Sequence, residues 1–491
     1  MAAGHLTAAL LTPSSSPVLA VGSTVIDLTP TPLKEYAVRE FGTRDKPILL
    51  ATVIAVTLLL AAIAGWLSRK HFAVGVVFLL VLVALAGAAA LTRPLATLED
   101  LIPAVVTAIM GLAVLFLLVR HPSPKRMRHP MRQAELAEQP MSRRMVLIAS
   151  GVVASMTGLM AWGGERIIAR RTNPGSITLP PPADPAPPLP RGIEQSYRGI
   201  SRLQTPTDTF YRVDTNLTLP VVSVDDWTLT IDGDVENEFT LTFDELAAMP
   251  LVERDITMTC VSNEVGGRYV GAARWLGVPL TALFERAGVG TKADQILSTA
   301  VDGFTISTPL DVATDGRDAM VAIGMNGKSL KAEHGFPARL ITPGIYGFVG
   351  ATKWLTKLTL TTYAKETAYW TDRKWATDAP IKIASRIDTP RPLSTIDAGR
   401  VVIGGVAWAQ TRGIERVEIR IDGGPWQPTR LGPDVGVDYW RQWYQFWDAE
   451  PGRHMLAVRA IGADGEVQTP VRATPFPAGS SGIQEIVISV R

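Results

Sequence analysis

Thr257-Met-Thr-Cys260-Val-Ser-Asn263-Glu-Val-Gly-Gly-Arg268, followed by Arg274-Trp275-Leu-Gly-Val-Pro279-Leu280, decides how the last two thirds of the chain are read. It holds the only cysteine among 491 residues. Val252, Ile256, Met258 and Cys260 fall at even positions, and Glu253, Asp255, Thr257 and Thr259 at odd ones. That alternation predicts a strand with Cys260 on its apolar face, at the strand's end. Gly266-Gly267 follows, so the chain turns just past the thiol. A lone cysteine is most often a small buried hydrophobe. A thiolate at a strand end beside a Gly-rich loop is also well placed to bind a soft metal.

Working outward, Pro279 suits the first turn of a helix. Leu280, Leu283, Phe284 and Ala287 follow at helical spacing, with Gly288 as the stop, so this helix should fix a loop carrying Arg274. Upstream, Trp227–Gly233 alternates like a strand, and Thr242-Phe-Asp-Glu245 is a capping box opening a short helix that Pro250 ends. Downstream, His334-Gly-Phe-Pro-Ala-Arg339 leads through a strand to a Gly-rich turn and Ala351-Thr352-Lys353-Trp354. Such a set suits a phosphate, since Arg offers a planar fork, Lys a point charge and glycines exposed backbone N–H groups. A solvated basic face is the plainer alternative. Beyond residue 380, Val401–Ala409, Glu415–Ile421, Trp440–Trp447, His454–Ala460 and Glu485–Val490 read as short strands. With Gly-rich turns at hairpin positions, they predict an all-β sandwich.

The first third differs. Four uncharged runs, Pro47–Leu67, Phe72–Thr92, Leu101–Val119 and Met145–Gly164, each approach the ~20 residues that cross a bilayer as a helix. Met1–Lys46 has no comparable run and reads as a soluble or interfacial arm. The connection between the third and fourth runs carries Arg120, Lys125, Arg126, Arg128, Arg132, Arg143 and Arg144. It should be cytoplasmic, which places everything after the fourth run outside the cytoplasm. Lys34, Arg39, Arg44 and Lys46 argue the other way, and the denser loop decides. Ser142-Arg143-Arg144-Met145-Val146-Leu147 resembles a twin-arginine export signal, or is an ordinary positive flank. Asn173–Pro190 is rich in proline: either a semi-rigid spacer, its last eleven residues reaching ~34 Å as polyproline II, or a strap packed along the following domain.

The cysteine segment resembles the molybdenum-ligand segment of the sulfite oxidase family of molybdopterin-dependent oxidoreductases. There a single Cys binds the metal, an Asn often follows three residues later, and an Arg-Trp-x-Gly-Val-Pro-Leu run opens the next helix. The resemblance implies an α+β molybdopterin domain and an Ig-like β-sandwich; with the four-helix transmembrane region read from the apolar runs, the fold is multidomain. The boundaries are an arm (1–46), a transmembrane domain (47–171), a Pro-rich linker (172–195), a catalytic domain (196–378) and a sandwich of the kind used for dimer contact (379–491). It implies Cys260 as metal ligand, and Tyr211, Arg212, Asn263, Arg274, Thr299, His334, Arg339, Thr352 and Lys353 as cofactor contacts. Arg412, at the start of a sandwich strand, would be the substrate-side cation. The implied chemistry is two-electron oxygen-atom transfer on a small molecule. Sulfite oxidases usually place two arginines directly after the ligand motif; this chain has Glu264-Val265, so sulfite oxidation and sulfoxide reduction both stay open. Tyr346-Gly-Phe348 resembles a loop of the sulfoxide reductase branch.

Composition narrows the partners. A formal charge of +2 points away from nucleic acid, and one cysteine rules out an intramolecular disulfide framework. The six histidines, His5, His71, His121, His129, His334 and His454, do not lie well inside the runs, so neither haem nor an iron–sulfur cluster is expected. Electrons would pass to a separate protein or a membrane quinone, with lipid as the surroundings of the first third. A cofactor-free, membrane-tethered binding or scaffold protein is the competing expectation.

Overall fold

The computed structural model describes residues 1–30, 33, 36–37, 40–41, 44–119, 143–172, 175 and 177–491. The chain divides into two compact units, Met1–Pro174 with Thr215–Val221, and Gly175–Asp214 with Val222–Arg491.

The first unit is helical. Among the described residues, Asp45–Lys70, Phe72–Leu91 and Leu98–Leu117 are long and apolar enough to cross a membrane by length and composition. The fourth run lies in helix Arg143–Arg171, which is not one of those three and continues through the arginines beyond Gly164. Residues 120–142, with most of the basic third loop and Ser142, lie outside the described residues, as do Lys34 and Arg39. The expected arm is corrected: Ala2–Leu10 and Pro17–Leu28 are helices that pack on the apolar helices. Their small residues, Ala8, Ala9 and Ala20, are fully buried, so close approach replaces a long hydrophobic run. His5 thereby reaches the end of the fourth run, between the Ser16 hydroxyl (3.0 Å) and the Glu165 carboxylate (3.3 Å).

The second unit contains four sheets. In one, Val252–Thr259 is the edge, followed by Val270–Pro279, Met320–Met325 and Lys328–Ser329; Arg339–Ile341 also pairs with Met320–Met325. In another, the order is Phe239–Thr242, Thr228–Gly233, Leu355–Thr361, Gln295–Ala300 and Thr305–Pro309. Leu229, Ile231, Leu283, Val321 and Leu358 form part of one buried core shared by these two sheets and helix Leu280–Ala287. The helix buries the four predicted residues and stops at Gly288, whose φ is +67°, a conformation that costs glycine little. The capping box forms as read: Thr242 Oγ1 accepts from the Glu245 N–H, and Glu245 Oε2 accepts from the Thr242 N–H.

The cysteine strand departs from its pattern in one respect. Its odd face is also buried, with Thr257 and Thr259 at 1% and 2% exposure. The C-terminal half covers it: Trp440 N–H donates to Thr257 Oγ1 (2.8 Å), and Gln410 Nε2 donates to the Thr257 carbonyl (3.0 Å). A second correction concerns Arg274, which stands in mid-strand rather than in a loop.

The C-terminal part is rich in β-sheet. One sheet contains Ala384–Thr389, Gly399–Trp408, Arg441–Ala449 and Arg430–Leu431; the other contains Thr395–Ile396, Gln484–Val490, Gly452–Gly462, Ile414–Ile421 and Gln427–Pro428. They share a core that includes Ile403, Val417, Trp443 and Leu456. The proline-rich segment is a strap. Ala183 and Asp184 donate backbone N–H groups to the Leu251 carbonyl, Glu253 N–H donates to the Asp184 carbonyl, and the Asp184 carboxylate pairs with Arg254 at 2.7 Å.

Candidate active site

Cys260 follows the last residue of its strand and is 8% exposed. Its N–H donates to the Tyr269 carbonyl, and its carbonyl accepts from the Asn263 N–H. Asn263 Oδ1 accepts from the Tyr269 N–H at 2.8 Å, so this side chain closes the cysteine loop. A Cβ on Gly267 would stand 2.6 Å from that oxygen, which explains a glycine there. Burial pushes the Cys260 thiol up, while the Ser262 N–H and hydroxyl at the sulfur work against burial. Burial wins, so without a metal the group stays a thiol; a metal bound there would displace its proton.

Around the thiol stands an aromatic wall. Phe210 stacks on Tyr211 (5.1 Å between centroids) and meets Trp275 and His334 edge-on at 5.8 and 5.7 Å. Burial raises the Tyr211 phenol far above its ordinary value, and Cys260 adds to the rise. Burial likewise holds Tyr346 up at about 12; Cys260 adds to this, while the Lys382 backbone N–H opposes it.

The cations form the other wall. Arg339 is 5% exposed, and burial pushes it down to about 10. One of its amino groups donates to the His334 carbonyl (3.1 Å), its guanidinium lies 5.3 Å from the Trp275 ring centroid, and its buried Nε has no partner. Lys353 is pushed down to about 8, burial outweighing the Asp214 carboxylate 2.9 Å away. Asp214 also takes Arg212 at 2.7 Å. His334 is neutral: burial lowers it to about 4, and its Nε2 faces the Thr207 carbonyl at 2.8 Å, so that nitrogen carries the proton. Gly335 has φ +105°, and a Cβ there would come within 3.0 Å of the Lys353 backbone, so glycine holds this turn closed.

The structure thus brings Tyr211, Arg212, His334, Arg339 and Lys353 together with Cys260 and its Asn263-closed loop. It does not bring the others. Arg274 grips Asp255 across the strand pair with two bonds (3.0 and 2.6 Å) and donates to the Pro187 carbonyl. Arg412 is held by Glu466 and by the Ile381 carbonyl. Thr352 is fully buried with its hydroxyl 2.5 Å from Ser298 Oγ, which makes it a scaffold contact. Thr299, next along the strand, points to the opposite face from Ser298. Asp214 and Ser262 escaped the sequence reading; Asp214, two residues past Arg212 in extended chain, was the traceable one.

The fit to a molybdopterin can be tested on these residues. A buried guanidinium with an unpartnered Nε, a second buried cation and a buried thiol suit an anionic, metal-bearing group; an apolar or cationic ligand would leave the cations uncompensated.

Residues 216–370 match the family described as the oxidoreductase molybdopterin binding domain. That domain and the relatives below support the sulfite oxidase family of molybdopterin-dependent oxidoreductases for this part of the chain. Among curated relatives it is 27% identical over 315 residues to the mitochondrial sulfite oxidase of Drosophila melanogaster, covering 55% of this chain and 53% of that protein. It is 28% identical over 293 residues to the NADH nitrate reductase of Solanum lycopersicum, covering 47% and 32% respectively. The chain thus spans about half the length, or less, of these relatives. The sulfane dehydrogenase SoxCD of Paracoccus pantotrophus has a similar fold, with a TM-score of 0.52 and 24% identity over 59% of this chain and 83% of that one.

Proposed function

We propose that the chain is a membrane-anchored molybdopterin-dependent oxidoreductase that transfers an oxygen atom to or from a small substrate outside the cytoplasm. The carrying observation is that a buried Cys260 and a buried Arg339, whose Nε is without a partner among the described residues, both face the buried Tyr211 phenol. Cys260 would hold the metal, Tyr211 and the Phe210 wall would flank the pterin, and Arg339, Lys353, Arg212 and His334 would hold its anionic end. When bound, the cofactor supplies the two-electron redox chemistry. The chain's own groups orient and protect it. His334 presents its Nε2 proton to Thr207 and carries no charge at neutral pH. Tyr346 keeps its phenolic proton beside the sulfur. The aromatic wall excludes water.

In this reading residues 47–171 anchor the chain with four helices, 172–195 are the linker, 196–378 the catalytic domain and 379–491 an Ig-like sandwich available for dimer contact. Supporting the anchor are the three long apolar helices and the basic loop of the sequence. The reading has no haem and no iron–sulfur cluster in this chain, so that a separate carrier or a membrane quinone would exchange the electrons. Elemental analysis of the purified chain and of Cys260→Ser tests the reading. Molybdenum near one per chain, lost in the variant, is expected. Molybdenum near zero in the unaltered chain would favour the cofactor-free scaffold. A screen of sulfite, sulfoxides and N-oxides with an artificial mediator would then name the substrate.

A further inference from the structure

Helix Arg143–Arg171 has one face packed and one face open. Gly164 and Ile168 are buried on the packed face, where a Cβ on Gly164 would stand 2.8 Å from the His5 ring. Opposite them, Ile148, Val152, Leu159, Arg166 and Arg170 fall within a stripe ~40° wide, at about 100° per residue. Leu159 is 66% exposed, and Trp162, beside the stripe, 61%. The open face is thus apolar as far as Trp162 and cationic beyond it.

The two cations lack partners. The Arg166 guanidinium lies 5.2 Å from the Trp162 ring centroid, and among the described residues neither Arg166 nor Arg170 pairs with a carboxylate. Glu165, the acid next to them in sequence, bonds to His5 at 3.3 Å. Arg171 differs, because it donates to the Ala9 and Leu11 carbonyls (2.6 and 3.0 Å). With the following domain outside the cytoplasm, all three arginines stand on the membrane face where cations are not favoured. Two carbonyls account for Arg171; Arg166 and Arg170 need an anion from outside the chain.

Depth says which anion. At ~1.5 Å per residue, Arg166 stands ~6 Å beyond Trp162 and Arg170 ~12 Å beyond it. The polar layer on each side of a bilayer is ~5–8 Å thick. A tryptophan at the edge of the hydrocarbon therefore puts Arg166 at the level of the lipid phosphates, and Arg170 reaches that level along its own stem. The arrangement recurs at the end of helix Asp45–Lys70, where Lys70 Nζ lies 4.2 Å from the centroid of Trp66, itself 56% exposed.

We propose that Trp162, Arg166 and Arg170 form a binding site for the headgroup of an anionic phospholipid, whose acyl chains lie along Leu159 and Val152. This rests on the reading of the first third of the chain as membrane-embedded.

Native mass spectrometry of the detergent-purified full chain tests it. The probes are phosphatidylglycerol and phosphatidylcholine with the same acyl chains, and inorganic phosphate as a competitor. The chain should retain phosphatidylglycerol over phosphatidylcholine. Arg166→Gln with Arg170→Gln should weaken phosphatidylglycerol about thirtyfold, about fivefold for each cation at a lipid surface, and leave phosphatidylcholine nearly unchanged. Arg166→Lys with Arg170→Lys keeps both charges and should retain most of the preference, which separates lost charge from lost folding. Lys365→Gln with Arg453→Gln makes the same charge change on exposed residues of the second unit and should alter nothing. Equal retention of both lipids, a double glutamine variant that behaves like the parent, or displacement of phosphatidylglycerol by inorganic phosphate would overturn the proposal. So would a lipid-free dimer joined through this helix. Vesicle flotation separates the two readings. A chain that floats with phosphatidylcholine vesicles yet shows no headgroup preference sinks the lipid site alone; one that floats with no vesicle sinks the membrane reading as well.

Discussion

Asp214→Asn removes the carboxylate that Lys353 and Arg212 share at 2.9 and 2.7 Å. Lys353 and Asp214 are nearly shielded, at 11% and 4% side-chain exposure, whereas Arg212 at 39% has water to fall back on. Lys353 therefore bears the change. Its drop to about 8 from an ordinary 10.5 already corresponds to ~3 kcal/mol by which burial exceeds what Asp214 returns. Removing one partner of a buried pair costs ~3–5 kcal/mol, and the lysine escapes part of that by shedding its proton. We expect a loss of about 3 kcal/mol at neutral pH. Because the folded lysine binds its proton more weakly than the unfolded one, stability rises as pH climbs from about 8 towards 10.5. In the variant that rise should begin below pH 8, since the influence holding the value up is gone. Urea unfolding of the full chain in detergent, followed by tryptophan fluorescence between about pH 6.5 and 10, measures both. Adding Lys353→Met should recover most of the loss. A single variant within about 0.5 kcal/mol of the parent, with the same pH dependence, would refute the reasoning.

Three further outcomes follow from the same geometry. His334 folds with its value lowered to about 4, so its contribution is complete above pH 6.5 and fades as pH falls through that window; His334→Gln, which keeps a donor for Thr207, should flatten that acid dependence in unfolding curves. Gly335→Ala forces a Cβ to 3.0 Å from the Lys353 backbone at φ +105°, and should cost ~1–3 kcal/mol by denaturation and lower the molybdenum content of the purified chain. His454, raised chiefly by its 2.7 Å bond to Asp422, contributes stability below pH 6.5 that is lost as pH rises through its folded value; Asp422→Asn should remove that alkaline decline in a thermal-melt series.

Much of this was legible in local pattern. The strand before Cys260, the helix from Leu280 to Gly288 and the Thr242 capping box each rest on spacing alone, and each forms. Arg274 shows where spacing fails. Its partner Asp255 is nineteen residues away, and only the register of two antiparallel strands places them opposite each other. The buried Thr257 and Thr259 looked like a wet face because nothing near them in sequence supplies Gln410 and Trp440. The first 28 residues lacked an obvious apolar run because alanines, which bury little area each, do the packing there. Asp214 was traceable as a partner of Arg212, two residues before it, but nothing local shows the lysine that joins them from far along the chain.

The strap of residues 183–187 has a consequence beyond tethering. The strand that ends at the thiol is the outermost of its sheet, and an uncovered rim of that kind invites a stranger's backbone to zip onto it. Here the chain supplies its own cover, through Ala183 and Asp184 at one end and the Asp438 carbonyl on Thr257 further along. Clipping the strap would therefore expose a sticky margin beside Cys260, and self-association should precede any loss of the core.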